Sequence, residues 1–176
     1  MNEFIIRSFK DADWPECREL LLEVFREGKT YPYSATTTEE QAQSIWLNDK
    51  TGVFVAVDAA SGQVLGTYYI RPNQPGRGSH ICNCGYITSQ AARGRGIASA
   101  MCEHSQQIAR EFGFTGMQFN LVVETNTGAV RLWEKLGFDT IGRLPKVFDH
   151  AEFGLVDARI MFKDLSSDKL RMHNDT

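Results

Sequence analysis

No run in the sequence approaches the ~20 consecutive apolar residues that a membrane span needs. Positive charge is not in excess either: the formal net charge is −3 over 176 residues, which creates no field for gathering nucleic acid. Neither a membrane nor a nucleic acid is therefore expected as a partner. The opening stretch from Met1 to Arg7 lacks the basic start and long apolar core of a signal peptide, so the expected location is cytoplasmic. Cysteine is sparse as well. Cys17, Cys82, Cys84 and Cys102 are the four present, and only Cys82 and Cys84 lie close together. Residues two apart on an extended strand point to the same face, about 6.5 Å from one another, so these side chains run parallel and do not converge. His80 alone does not complete a zinc set beside them. The expectation is buried thiols, no metal and no catalytic cysteine.

What is present is enough for one domain with a real core: 42% of residues are hydrophobic and 11% aromatic. Periodicity predicts a strand over Phe4 to Ile6, then a helix from Asp11 to Glu27 with Trp14, Cys17, Leu21 and Val24 on one stripe. Thr38 and Gln41 form a capping-box pair that opens a second helix, which leaves the Tyr31-Pro32-Tyr33 loop between two helices. Val53 to Val57 and Val64 to Ile70 predict a hairpin, and Ile81 to Thr88 a further strand. Ile97 to Phe112 is helical in spacing, with Gly113 placed to end it. Met117 to Val123 follows as a strand, then a short helix capped by Asn126 and ended by Gly137, then closing strands at Phe138 to Leu144 and Ala158 to Phe162. Asp149 and His150 are expected in a solvated loop. A single domain over 1–165 with a polar tail over 166–176 is the expected organisation.

The segment from Gln90 to Ala98 reads QAARGRGIA, between a predicted strand and a predicted helix. Glycines at 94 and 96 let bare backbone approach a ligand, and the first N–H groups of the helix point toward it. Arg93 and Arg95 add charge. These residues alone fit an anion-binding turn and a plain tight turn equally well. A P-loop is excluded because Gly96 is followed by Ile97 and not by Lys. A dinucleotide fingerprint fits poorly, because it should open a run of parallel strands and be followed about 20 residues on by an acid at a strand end.

The Arg93-Gly94-Arg95-Gly96-Ile97-Ala98 turn resembles the pyrophosphate loop of the GCN5-related N-acetyltransferases (GNAT family). The segment from Asn126 through Ala129, Leu132, Trp133 and Lys135 to Gly137-Phe138 is similar to a second motif of that family, in the expected order. The resemblance implies an α/β fold of the α+β kind: a mixed, mostly antiparallel central sheet of six to seven strands flanked by about four helices, with splayed central strands binding acetyl-CoA. It implies cofactor contacts from Tyr86, Ile87, Thr88, Arg93, Gly94, Arg95, Gly96, Ile97, Ala98, Asn126 and Trp133. Acetyl-CoA is then a co-substrate, no metal takes part, and the partner is a small-molecule amine, with a homodimer left open.

Ser79 to Gly85, Phe119 to Asn126 and the closing Asp157 to Leu165 also resemble the fungal acetyltransferases of azetidine-2-carboxylate and related proline analogues. That likeness implies that Asn83, Asn120 and Asn126 surround the reacting groups, with Asn83 and Asn120 as catalytic positions beside Thr88 of the wider family pattern. Glu124 just beyond a strand end and Tyr31, Tyr33 and His80 in loops are further candidates by position, and the expected acceptor site is Tyr31, Tyr33, Asn83, Asn120 and Glu124. The acceptor would be a free amino acid or cyclic imino acid whose amine attacks the acetyl group directly. Asn126 also reads as an ordinary helix cap, whereas Asn120 is an amide in an otherwise apolar strand and needs partners. Trp133 stands where many family members carry a tyrosine general acid, and an indole N–H does not give up its proton. A protein or peptide acetyltransferase, and a non-catalytic acyl-CoA-binding regulator, remain alternative readings.

Overall fold

The computed structural model describes residues 3–166. Seven strands form one sheet among these residues: β1 (Phe4–Ser8), β2 (Gly52–Asp58), β3 (Val64–Pro72), β4 (Ile81–Thr88), β5 (Gly116–Val123), β6 (Asp139–His150) and β7 (Gly154–Asp164). Their spatial order is β1-β2-β3-β4-β5-β7-β6. Every pairing is antiparallel except β4 with β5. The helices are α1 (Trp14–Glu27), α2 (Glu39–Leu47), α3 (Ile97–Glu111) and α4 (Thr127–Lys135). The tail from residue 167 onward lies outside the described residues.

Each helix forms where sequence signals agree. Cys17, Leu21 and Phe25 recur every fourth residue and give α1 a buried stripe, and the helix ends at Gly28 in the left-handed region, φ 61°. Thr38 accepts the Gln41 N–H, and the Gln41 side chain accepts the Thr38 N–H in return, so α2 opens on a complete capping box. The α1 and α2 pair covers one face of the sheet, where Leu21, Phe25, Ala42 and Trp46 pack on Tyr69 and Ile87. On the opposite face Ile97, Met101, Cys102 and Ala109 of α3, with Val130 and Trp133 of α4, cover Tyr68, Cys82, Cys84, Met117 and Phe119. All four cysteines are buried free thiols.

The closing hairpin corrects the expected boundaries. Strands β6 and β7 run on well past Leu144 and begin before Ala158, and Asp149 and His150 belong to β6 and not to a solvated loop. His150 is buried, and its Nδ1 accepts the N–H groups of Glu152 and Phe153 across the turn. Pro145 makes the sequence look broken here. The structure absorbs Pro145 in an irregularity between Leu144 and Phe148, where Lys146 takes φ 53° and donates its N–H to Asp157. That is affordable because β6 is an edge strand with no further ladder to serve.

Candidate active site

The site begins where the sheet comes apart. The parallel ladder of β4 and β5 has only two registered positions, Ile81 with Gly116 and Cys82 with Met117. The Asn73 N–H donates to Ile81, and the Ser89 N–H donates to Leu65. Antiparallel bonding alternates, so the odd-numbered residues of β4 turn their main-chain groups toward β3. The main-chain groups of Cys84, Tyr86 and Thr88 therefore face the gap beyond the last β4–β5 pair. Likewise the Leu165 N–H donates to Thr115, which sets the odd residues of early β5 toward β7 and leaves Gln118 facing β4.

A continued ladder would have satisfied the Gln118 carbonyl. Instead the Asn83 side chain, only 7% exposed, donates its Nδ2–H to that carbonyl at 2.9 Å. The buried amide takes the place of the missing strand partner at the point of divergence. The amide chain runs further, because Gln118 Nε2 donates to Asn120 Oδ1 at 3.0 Å and Asn120 Nδ2 donates to Asn73 Oδ1 at 2.7 Å. Asn120 is exposed on β5, and these two neighbours are the partners its position required.

The gap opens into a cleft of about 850 Å³. Asn83, Tyr86, Ile87 and Thr88 line it from β4, and Asn120 from β5. Arg93, Gly94, Gly96, Ile97 and Ala98 line one end. There Gly94 and Gly96 take φ 79° and 77°, and no side chain caps the start of α3. The first N–H groups of α3 are thus left for an incoming anion, and a Cβ at either glycine would meet no neighbour within 4 Å. Asn126, whose Oδ1 accepts the Ala129 N–H, also borders the cleft, as does Trp133, packed against Tyr86 and Phe119 at ring distances of 5.1 and 5.2 Å.

Tyr31 and Tyr33 line the cleft from the segment between α1 and α2. The Tyr31 hydroxyl donates to the Tyr86 carbonyl at 2.9 Å, which ties that segment to the open edge of β4. Two of the expected residues stand elsewhere. Arg95 does not line the cleft; it turns to Asp58 and Glu3 at 3.3 and 3.4 Å. Glu124 is held by Arg143 and Arg159 at 2.7 and 3.1 Å. Residues not anticipated from the sequence also line the cleft, among them Tyr69 and Arg71 of β3. Their signal was the period of two that places Thr67, Tyr69 and Arg71 on one face of β3, in register with Ile87, Gly85 and Asn83 of β4.

Burial holds the phenols and the thiol around the cleft neutral. Burial pushes the Tyr31 and Tyr86 phenols well above their ordinary values, and the Cys84 thiol likewise, with the neighbouring Cys82 thiol adding to the shift. Cys84 therefore stays protonated and is no nucleophile. Burial also raises the Tyr33 phenol, opposed by the positive charge of Arg71. Glu27 lines the cleft but accepts a hydrogen bond from the Gln90 amide. Among the described residues no group of three or more His, Cys, Asp or Glu side chains could hold a metal ion, and no helix is long and apolar enough to cross a membrane.

Comparison with known proteins gives consistent results. The chain is 41% identical to a GCN5-related N-acetyltransferase from Kribbella flavida and superposes with a TM-score of 0.87, covering 92% of this chain and 98% of that one. A phosphinothricin acetyltransferase from Sinorhizobium meliloti, solved in complex with AcCoA, shares the fold at a TM-score of 0.82 and 20% identity, covering 94% of this chain and 90% of that one. N-acetyltransferase aca1 of Schizosaccharomyces pombe is 34% identical over 129 residues, 65% of this chain and 62% of that protein. The match to Protein SPT10 of Saccharomyces cerevisiae, 34% identical over 84 residues, takes in 48% of this chain and 13% of that protein. The chain thus spans less than two thirds of the length of these two curated relatives. The acetyltransferase (GNAT) family model matches residues 14–138, well over half of the chain, and the protein belongs to that family.

Proposed function

We propose that the protein is an acetyl-CoA-dependent N-acetyltransferase whose acceptor is the amine of a small molecule, a free amino acid or cyclic imino acid. One observation carries the reading: a single cleft joins the uncapped start of α3 to a chamber of tyrosines and asparagines where β4 and β5 part. The anionic end of acetyl-CoA fits the first end, at Gly94, Gly96 and Arg93. Its amide-bearing arm suits the strand edge at Tyr86 and Thr88, whose main-chain groups have no β5 partner. A main-chain N–H on that edge would stabilise the charge that builds on the thioester oxygen.

The acceptor amine attacks directly in this scheme. Cys84 is kept protonated, and no Ser–His or Cys–His pair borders the cleft among the described residues. Trp133 supplies no acidic proton. A thiol of ordinary pKa near 8.5 leaves as thiolate at pH 7 for about 2 kcal/mol relative to its protonated form, so little help is needed. The amino-acid reading is supported by a relative: an L-amino acid N-acetyltransferase, AaaT, of Escherichia coli is 24% identical over 151 residues, covering 81% of this chain and 86% of that protein.

The test is release of CoA thiol from acetyl-CoA against a panel of amines. Turnover of common amino acids, azetidine-2-carboxylate or proline analogues is the expected result. Turnover confined to a polyamine or a peptide amine would overturn the acceptor assignment, and no turnover with any amine would overturn the activity.

A further inference from the structure

Arg71 lines the cleft from the end of β3. It lies directly across the β3–β4 ladder from Asn83, in a register pair whose side chains share one face of the sheet, roughly 5 Å apart at Cβ. Its guanidinium sits 5.7 Å from the centre of the Tyr69 ring. Lys50 lies over the same ring at 4.9 Å, so two cations flank one aromatic side chain. Gly85 makes this possible, because a Cβ there would come within 2.6 Å of the Tyr69 ring.

The electrostatics agree with the geometry. Lys50 is shifted down, first by burial and then by the charge of Arg71, and the charge of Arg71 also opposes the burial that raises the Tyr33 and Tyr69 phenols. Arg71 thus acts on groups from β3, from the α1–α2 segment and from the approach to β2. No carboxylate within ion-pair distance neutralises it among the described residues, and the same holds for Arg93 at the glycine turn, whereas Arg7, Arg18, Arg95, Arg143 and Arg159 all have acidic partners. Arg71, which lines the cleft with no carboxylate at ion-pair distance among the described residues, repels a polyamine and attracts an anion.

We infer that Arg71 is the specificity residue of the acceptor site, holding the carboxylate of an α-amino or imino acid whose amine is directed toward Asn83 and the opening between β4 and β5. The inference rests on the amino-acid reading of the site. A guanidinium fork matches a carboxylate in two parallel hydrogen bonds, and in such a substrate a single carbon separates carboxylate from amine. Tyr69 and Tyr33 then supply the flat walls between which the rest of the molecule lies.

The experiment compares kcat/KM for amino acids, azetidine-2-carboxylate among them, with that for their carboxamides, in wild type, Arg71→Ala and Arg71→Lys. Thermal melts and titration with acetyl-CoA accompany each variant, and both are expected to stay at the wild-type level because Arg71 is an exposed side chain at the end of β3. Wild type should prefer the acids. Arg71→Ala should lose about ten- to hundredfold on the acids, as expected for a charged hydrogen bond, and little on the carboxamides; Arg71→Lys should fall between. Equal losses on acid and carboxamide, or full activity of Arg71→Ala on the acids, would overturn the inference while leaving the amino-acid reading intact. Turnover of peptides or polyamines alone would overturn both.

Discussion

Replacing Asn83 by alanine tests whether this side chain holds the divergence of β4 and β5. The substitution removes the donor from the Gln118 carbonyl, a bond of 2.9 Å made by a side chain only 7% exposed. Leaving this part-buried acceptor unmatched costs about 1–3 kcal/mol, and at roughly 2–4 °C per kcal/mol for a chain of this size the midpoint should fall by about 2–12 °C. Asn83→Asp separates the lost bond from the lost volume. Its carboxylate would face the Gln118 carbonyl and repel it, whereas the protonated acid would donate to it. The neutral form is thus favoured in the folded state and the pKa is raised there. The folded protein then binds more protons than the unfolded chain, and stability falls as pH rises through the raised value. Thermal melts of wild type and both variants from pH 4 to 7 read this directly. An Asn83→Ala midpoint within 1 °C of wild type would refute the role of Asn83 as the partner of the Gln118 carbonyl, as would an Asn83→Asp variant whose deficit is the same at every pH.

Two further outcomes are expected. Trp133→Phe should keep most of the catalytic rate, since the indole offers no acidic proton and Phe preserves the packing against Tyr86 and Phe119; a fall in kcat approaching the ~10²-fold typical of losing a general acid would contradict this. Asp13 is clamped by Arg7 through two bonds of 2.8 Å and by the Lys10 N–H, and the Arg7 hydrogen bonds hold its carboxyl below the ordinary value. Its contribution is therefore complete above about pH 4 and lost as pH falls through the depressed value, so the melting difference between wild type and Asp13→Asn should shrink toward pH 2 and not widen.

Much of the fold could be read from local pattern. The Thr38 capping box, the Asn126 cap and the glycines that end α3 and α4 are short-range devices, and each stands where the pattern put it. The outer part of the β6–β7 hairpin, beyond Leu144 and before Ala158, could not be read this way, because a proline at 145 is tolerated only by a strand known to lie at an edge, and edge position is a property of the whole sheet. The site divides along the same line. The glycine turn is contiguous in sequence and was visible, and so were its neighbours in β4. Arg71 and Tyr69 depend on the cross-strand register with Asn83 and Gly85. Arg95 was drawn away by Asp58, a residue 37 positions distant that the turn itself gives no hint of.

Binding of acetyl-CoA in the cleft between β4 and β5 is tested most directly by titration calorimetry on wild type, Gly96→Asn and Gly96→Asp. Residue 96 sits at φ 77° with open space around a Cβ, and asparagine and aspartate are the side chains most often found in the left-handed region. Both variants therefore carry a similar backbone cost, and they differ in one negative charge placed at the start of α3. Wild type should bind, Gly96→Asn should bind more weakly, and Gly96→Asp should lose binding while remaining folded. Undiminished affinity in a folded Gly96→Asp variant would contradict the assignment of this turn to the pyrophosphate, and with it the cleft as the acetyl-CoA site.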